Sequence, residues 1–206
     1  MSYRLFIFIG VIAAGLVLTA FLTGTRLFEG GENGGGEGVV LLPDGEDKVE
    51  REGDGSSVPS AAADGTDGAG GRSYLDPRGR FSFTYPAGFR VSSFSDDGGE
   101  TETVLVQNVV LGRGFQVVIS KPEAVPDRLT VGILKESAPS LAISDAQEFT
   151  IGSAGGGLVF SSNNELFGGG AREAWFVYKG ELYQISAFVK DKELVDNTAK
   201  SWRFLR

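Results

Sequence analysis

Asp96, Asp97, Glu100 and Glu102 place four carboxylates within seven positions, a set of oxygen donors of the kind that holds a hard cation such as calcium. Their spacing departs from an EF-hand loop, and Ser95, Gly98 and Gly99 around them also fit a solvated turn. The runs Gly155 to Gly157 and Gly168 to Gly170 have the composition of phosphate loops. Neither leads into Gly-Lys-Ser or Gly-Lys-Thr or opens a helix, so both read as loop tips. Ser and Lys together can perform acyl transfer without His, but Ser-x-x-Lys does not occur, and Ser120-Lys121 and Lys135-Glu136-Ser137 are only neighbours in sequence. With no Cys and no His in the chain, disulfides, thiolate or imidazole catalysis, and zinc or haem sites built on either residue are excluded. No catalytic residue is assigned and no cofactor is expected.

These side chains fall on a chain of three parts. From Leu5 to Leu22 no charged residue occurs, and Thr19 is the only polar one. A helix of that length spans roughly 27 Å, near the thickness of a hydrocarbon core, so residues 5–24 are expected to be a transmembrane signal anchor after a cytoplasmic tail at 1–4. A cleaved signal peptide is the competing reading; its usual small residue at −3 would be Leu18 or Leu22 at the available sites. The short amino-terminal tail is the easier end to leave in the cytoplasm, which places the rest of the chain outside it. Gly10 and Ala14 form a small-xxx-small pair, a candidate for packing between two such helices.

Residues 25–72 are expected to be a disordered linker. Between 29 and 72 there are 13 Gly, no aromatic residue, and 11 acids against Lys48, Arg51 and Arg72, so this stretch carries most of the net charge of −8. A coil of this length reaches about 35 Å root-mean-square. Val39 to Leu42 is its one apolar run, short for a docking strand.

Residues 73–206 have the composition of a globular domain with a dominant period of two. Phe81, Phe83 and Tyr85 alternate before Pro86, and Phe89 to Phe94, Thr101 to Val110, Gly114 to Ser120, Gln147 to Ile151 and Gly157 to Ser161 read as further strands. Ala174 to Tyr178, Lys179-Gly180, and Glu181 to Val189 form the clearest hairpin. Helical spacing appears at Leu129 to Ala138 and at Asp191 to Trp202, with Asp191 placed to cap the second. The expectation is an α+β domain, an antiparallel sheet of about six to eight strands flanked by two helices. Trp175, Tyr178 and Tyr183 on the hairpin are partner-binding candidates, weighed against burial as core. Arg172 and Glu173 at its entrance read as an exposed pair.

The run Gly79-Arg80-Phe81-Ser82-Phe83-Thr84-Tyr85-Pro86-Ala87-Gly88-Phe89 resembles the opening of the PsbP-like superfamily. Glu173 to Ser186, a following helix, and Trp202-Arg203-Phe204 resemble its last hairpin, final helix and closing motif. The resemblance implies an antiparallel sheet covered by helices in proteins that mostly act as non-enzymatic assembly or binding modules, and it extends to uncharacterised bacterial proteins that join such a domain to a membrane helix. A photosystem role is not carried over, because contacts in that branch draw on residue types, including His, that this chain lacks. The expected function is therefore a non-enzymatic, membrane-anchored scaffold or protein-binding module in the cell envelope. Its partners would be membrane lipid through the amino-terminal helix and an unidentified envelope protein, and the slightly acidic domain is not expected to bind nucleic acid. The alternative is a small-molecule sensor, or a hydrolase.

Overall fold

A computed structural model describes residues 65–67, 71–96, 98–151 and 155–205. The anchor expected at 5–24, with Gly10 and Ala14, and most of the expected linker lie outside the described residues. Among the described residues no helix is long and apolar enough to cross a membrane.

Among the described residues eleven strands form two antiparallel sheets, where the sequence led us to expect one. The smaller has the order β1 (Gly65–Asp67), β2 (Gly71–Leu75), β3 (Phe81–Pro86) and β11 (Arg203–Phe204). β1 and the start of β2 fall within the stretch that composition assigns to the linker. The larger sheet contains β4 (Arg90–Ser95), β5 (Thr101–Asn108), β6 (Arg113–Ser120), β7 (Ile143–Thr150), β8 (Gly156–Ser162), β9 (Ala171–Tyr178) and β10 (Glu181–Phe188). Their order is β4-β5-β6-β10-β9-β8-β7, which puts the β9–β10 hairpin near the centre. Its turn has positive φ at both Lys179 and Gly180, the twist that lets two strands return tightly on each other. Two helices, α1 (Val131–Ser137) and α2 (Lys192–Ser201), and two 3-10 turns, η1 (Glu165–Phe167) and η2 (Val189–Asp191), accompany the strands among the described residues.

Strand alternation divides the larger sheet into two faces. One face carries Val104, Val106, Phe115, Val117, Tyr183, Ile185 and Phe176, and packs on Phe81 and Phe83 of β3 and on Leu194, Val195 and Ala199 of α2. Trp202, fully buried, stacks on Phe81 at 4.5 Å and on Phe83 at 5.3 Å between ring centroids. This aromatic core explains why α2 keeps an apolar stripe and why the chain closes with β11 paired to β3. The other face carries Leu158, Phe160, Trp175 and Leu182 under Leu129 and Leu134 of the α1 segment.

The second face is unusually polar beneath its cover. Gln107, Gln116, Glu173, Gln184 and Ser186 are all buried there, and register places Gln116 opposite Ser186 and Ser186 opposite Glu173. Asp191, expected to cap α2, makes no capping bond. Its Oδ1 instead accepts from Arg113 Nε at 2.6 Å, since the preceding 3-10 turn directs the carboxylate toward β6.

Candidate functional site

The strand ends near Asn108, Arg113, Ala171 and Phe188 gather at one end of the larger sheet. Beneath them lies Glu173, which is completely buried. Its Oε1 accepts from Ser162 Oγ and from Asn164 Nδ2 at 3.4 Å, and its Oε2 accepts from Trp175 Nε1 at 2.7 Å and Ser186 Oγ at 3.3 Å. Asn164 Oδ1 in turn accepts from Leu166 N and caps η1. The carboxylate therefore ties the β8–β9 loop to the sheet. Burial pushes its carboxyl above the ordinary range, against the four hydrogen bonds that favour the charged form.

The reading of Arg172 and Glu173 as an exposed pair is thus corrected. Glu173 shares strand parity with Trp175 and points inside, while Arg172 pairs with Asp196 of α2 at 2.9 Å. Counting parity outward from Trp175 would have found this.

At the opposite end Arg80 lies among Asp76, Glu102 and Glu181, at 2.9, 2.6 and 3.6 Å. Burial acts to raise the Asp76 carboxyl, but hydrogen bonds from the Arg80 side chain and backbone outweigh it and hold the group below its usual range. Tyr183 Oη donates to Glu181 at 2.5 Å, and burial together with that carboxylate raises its phenol well above the ordinary value. These groups join the two sheets, so they act as struts.

The cation candidates are distributed as follows. Asp96 Oδ1 accepts from Thr101 N at 3.1 Å and shapes the turn, and Glu100 is exposed. Glu102 faces Arg80 and Arg78, and Asp97 lies outside the described residues. Among the described residues no group of three or more Asp or Glu is arranged to hold a metal. Of the aromatic candidates, Trp175 and Tyr183 are interior. Tyr178 is half-buried and stacked on Phe204 at 3.8 Å, with Lys179 Nζ 5.2 Å from its ring centre.

The feature that the sequence reading missed is the β5–β6 tip. Val109 and Val110 read as the end of a strand, but β5 stops at Asn108 and both enter the turn. Asn108 Oδ1 accepts from Leu111 N at 3.0 Å, Gly112 N donates to Val109 O at 3.3 Å, and Gly112 takes the positive φ that closes the turn. Val109, Val110 and Leu111 are consequently 61, 95 and 61% exposed. The tip is braced from two sides: Asn108 Nδ2 donates to Gly88 O at 3.0 Å, and Lys190 Nζ donates to Gly112 O at 3.3 Å. Val189, half-exposed in η2, lies against Gly170 on the other side of β10. Scattered apolar side chains on a surface are ordinary, whereas here three in succession form a continuous apolar apex.

Comparison with solved structures finds a likeness to the solution structure of cyanobacterial PsbP (CyanoP) from Synechocystis sp. PCC 6803. The TM-score is 0.45 and the identity 13%, covering 70% of this chain and 98% of that one. No family model and no curated protein matches the chain.

Proposed function

We propose that the chain is a membrane-tethered binding module that works by contact rather than catalysis, serving as a scaffold at the outer side of the cell membrane. The observation that carries this reading is the β5–β6 tip, where Val110 is 95% exposed on a turn tied to two other parts of the fold, by Asn108 donating to Gly88 O and by Lys190 donating to Gly112 O. Its conformation is set before any partner arrives, so little ordering entropy opposes association. The charged groups with the most partners support the same view, because Asp76, Arg80, Glu102 and Glu173 hold elements together. A long acidic tether raises the local concentration of such a module near the membrane without fixing its orientation.

The test is a photo-cross-linking residue placed at Val110, and separately at exposed Lys135 on α1, in the full-length chain in native membranes. The reading expects a discrete adduct, protein or lipid, from position 110 and none matching it from position 135. Equal background at both positions would overturn it.

A second reading, a small-molecule sensor, is favoured by one observation on the face under α1. Gln107 Oε1, Gln116 Oε1 and Gln184 Nε2 are buried without a hydrogen-bond partner. Buried polar atoms are normally satisfied, and a small neutral hydrogen-bonding molecule would satisfy these. A thermal-shift screen of such molecules on the full chain, repeated with Gln116→Leu, tests it. A shift abolished in the variant supports the sensor, and no shift for any compound counts against it.

A further inference from the structure

Resting on the reading of the β5–β6 tip as the contact element, we infer that its partner is an anionic lipid surface, into which Val109, Val110 and Leu111 insert. The apex chemistry is the first argument. Its exposed side chains are all aliphatic and stand on a tight turn. Protein interfaces are anchored by aromatic and Arg side chains fitted to pockets, whereas a bilayer accepts an aliphatic wedge without a shaped receptor.

Charge supplies the second argument. Arg90 lies opposite Gln107 at the base of the tip, Arg113 follows it directly, and Lys190 is fastened to Gly112. No acidic residue occurs from Thr103 to Ser120 or from Pro86 to Ser95. The nearest acid on the facing turn is Asp191, buried and paired with Arg113, while Glu193 lies further on in α2. Asp191 offsets Arg113, so Arg90 and Lys190 supply the net positive charge of this rim in a domain that is slightly acidic as a whole, an arrangement suited to headgroups of phosphatidylglycerol type. The third argument is the chain beyond the described residues. By its sequence the uncharged stretch from Leu5 to Leu22 would bring a bilayer to the same molecule, and a coil of the intervening length would reach about 35 Å, more than twice the roughly 14 Å radius of gyration of a domain this size.

The absence of Cys in the chain allows a single-probe experiment. Full-length protein carrying Val110→Cys, or Lys135→Cys as reference, is labelled with an environment-sensitive dye and reconstituted into phosphatidylcholine vesicles with or without phosphatidylglycerol. Nitroxides on the acyl chains serve as quenchers. Quenching at position 110 should exceed that at position 135 by about threefold or more in the anionic vesicles, as expected for a probe several ångströms into the acyl boundary. Lys190→Glu should lower the quenching at 110. Equal quenching at both positions, with the dye at 110 shielded only in native membranes that contain other proteins, would overturn the lipid assignment and leave the contact reading standing. A dye at 110 that stays solvent-exposed in every membrane would overturn both.

Discussion

Replacing Glu173 with Gln tests the buried network and has a sign that ordinary surface carboxylates do not share. In the folded domain the carboxylate is wholly buried and accepts from four donors. Gln is nearly isosteric with the protonated acid, but its NH₂ group must face either Ser162 and Asn164 or Trp175 and Ser186. At least one buried donor is then left unpaired, at a cost of about 1–3 kcal/mol. The pH dependence separates the network from a generic packing defect. Burial raises the folded carboxyl above its ordinary value of 4.5, so the fold holds this proton more tightly than the unfolded chain does. That stabilisation is fully present below 4.5 and is lost as pH rises through the higher folded value, by up to about 1.4 kcal/mol per pH unit. Gln cannot titrate, so the penalty of Glu173→Gln should be largest near pH 4.5 and shrink as pH rises. Urea unfolding of the full-length chain, followed by Trp fluorescence, measures this directly, because both Trp residues lie in the domain. A penalty that stays constant or grows with pH would refute the reasoning.

Other perturbations have equally definite outcomes. Gly157→Ala would set a Cβ 2.6 Å from Phe149 Cε1 and 2.8 Å from the Trp175 carbonyl oxygen, and should cost about 1–3 kcal/mol in urea unfolding because the β9 backbone cannot yield. Arg80→Met removes the guanidinium paired with buried Asp76, leaving it the backbone hydrogen bond from position 80, and should cost about 3 kcal/mol. Asp76 sits below its ordinary value, so its stabilisation is present above 3.8 and lost as pH falls through the folded value, and the variant should show a flatter acid limb. Trp202→Ala removes the ring stacked on Phe81 and Phe83 and should cost about 3–5 kcal/mol by the same measurement. Val110→Asp should leave the unfolding curve within about 0.5 kcal/mol of the parent while abolishing the adduct formed at the tip, which a cross-linker at Val109 would read.

The parts of the fold legible in the sequence are those where local rules agree with tertiary packing. The β9–β10 hairpin shows because alternation and the Lys179-Gly180 turn point the same way, and α2 shows because Leu194, Val195 and Ala199 repeat at helical spacing against the core. Two places defeated the reading for opposite reasons. Val109 and Val110 have high strand propensity, but Asn108 and Gly112 make a better turn than they make a strand, and side-chain hydrogen bonding overrides propensity there. Glu173 is charged, and its type was given more weight than its parity with Trp175. The donors that allow its burial come from Ser162 and Asn164 in β8 and the loop after it, and from Ser186 across the hairpin, a convergence that only the register reveals. Asp191 follows the same pattern, since Arg113 lies far away in sequence and competes for the carboxylate that would otherwise cap α2.

The contact role of the tip is tested most directly by amide hydrogen exchange of the full-length chain, compared between native membrane vesicles and detergent micelles. The account predicts added protection in membranes confined to residues 108–113 and 189–191, with the β9–β10 hairpin unchanged. Identical exchange at the tip in both settings, or protection elsewhere on the domain in its place, would contradict it.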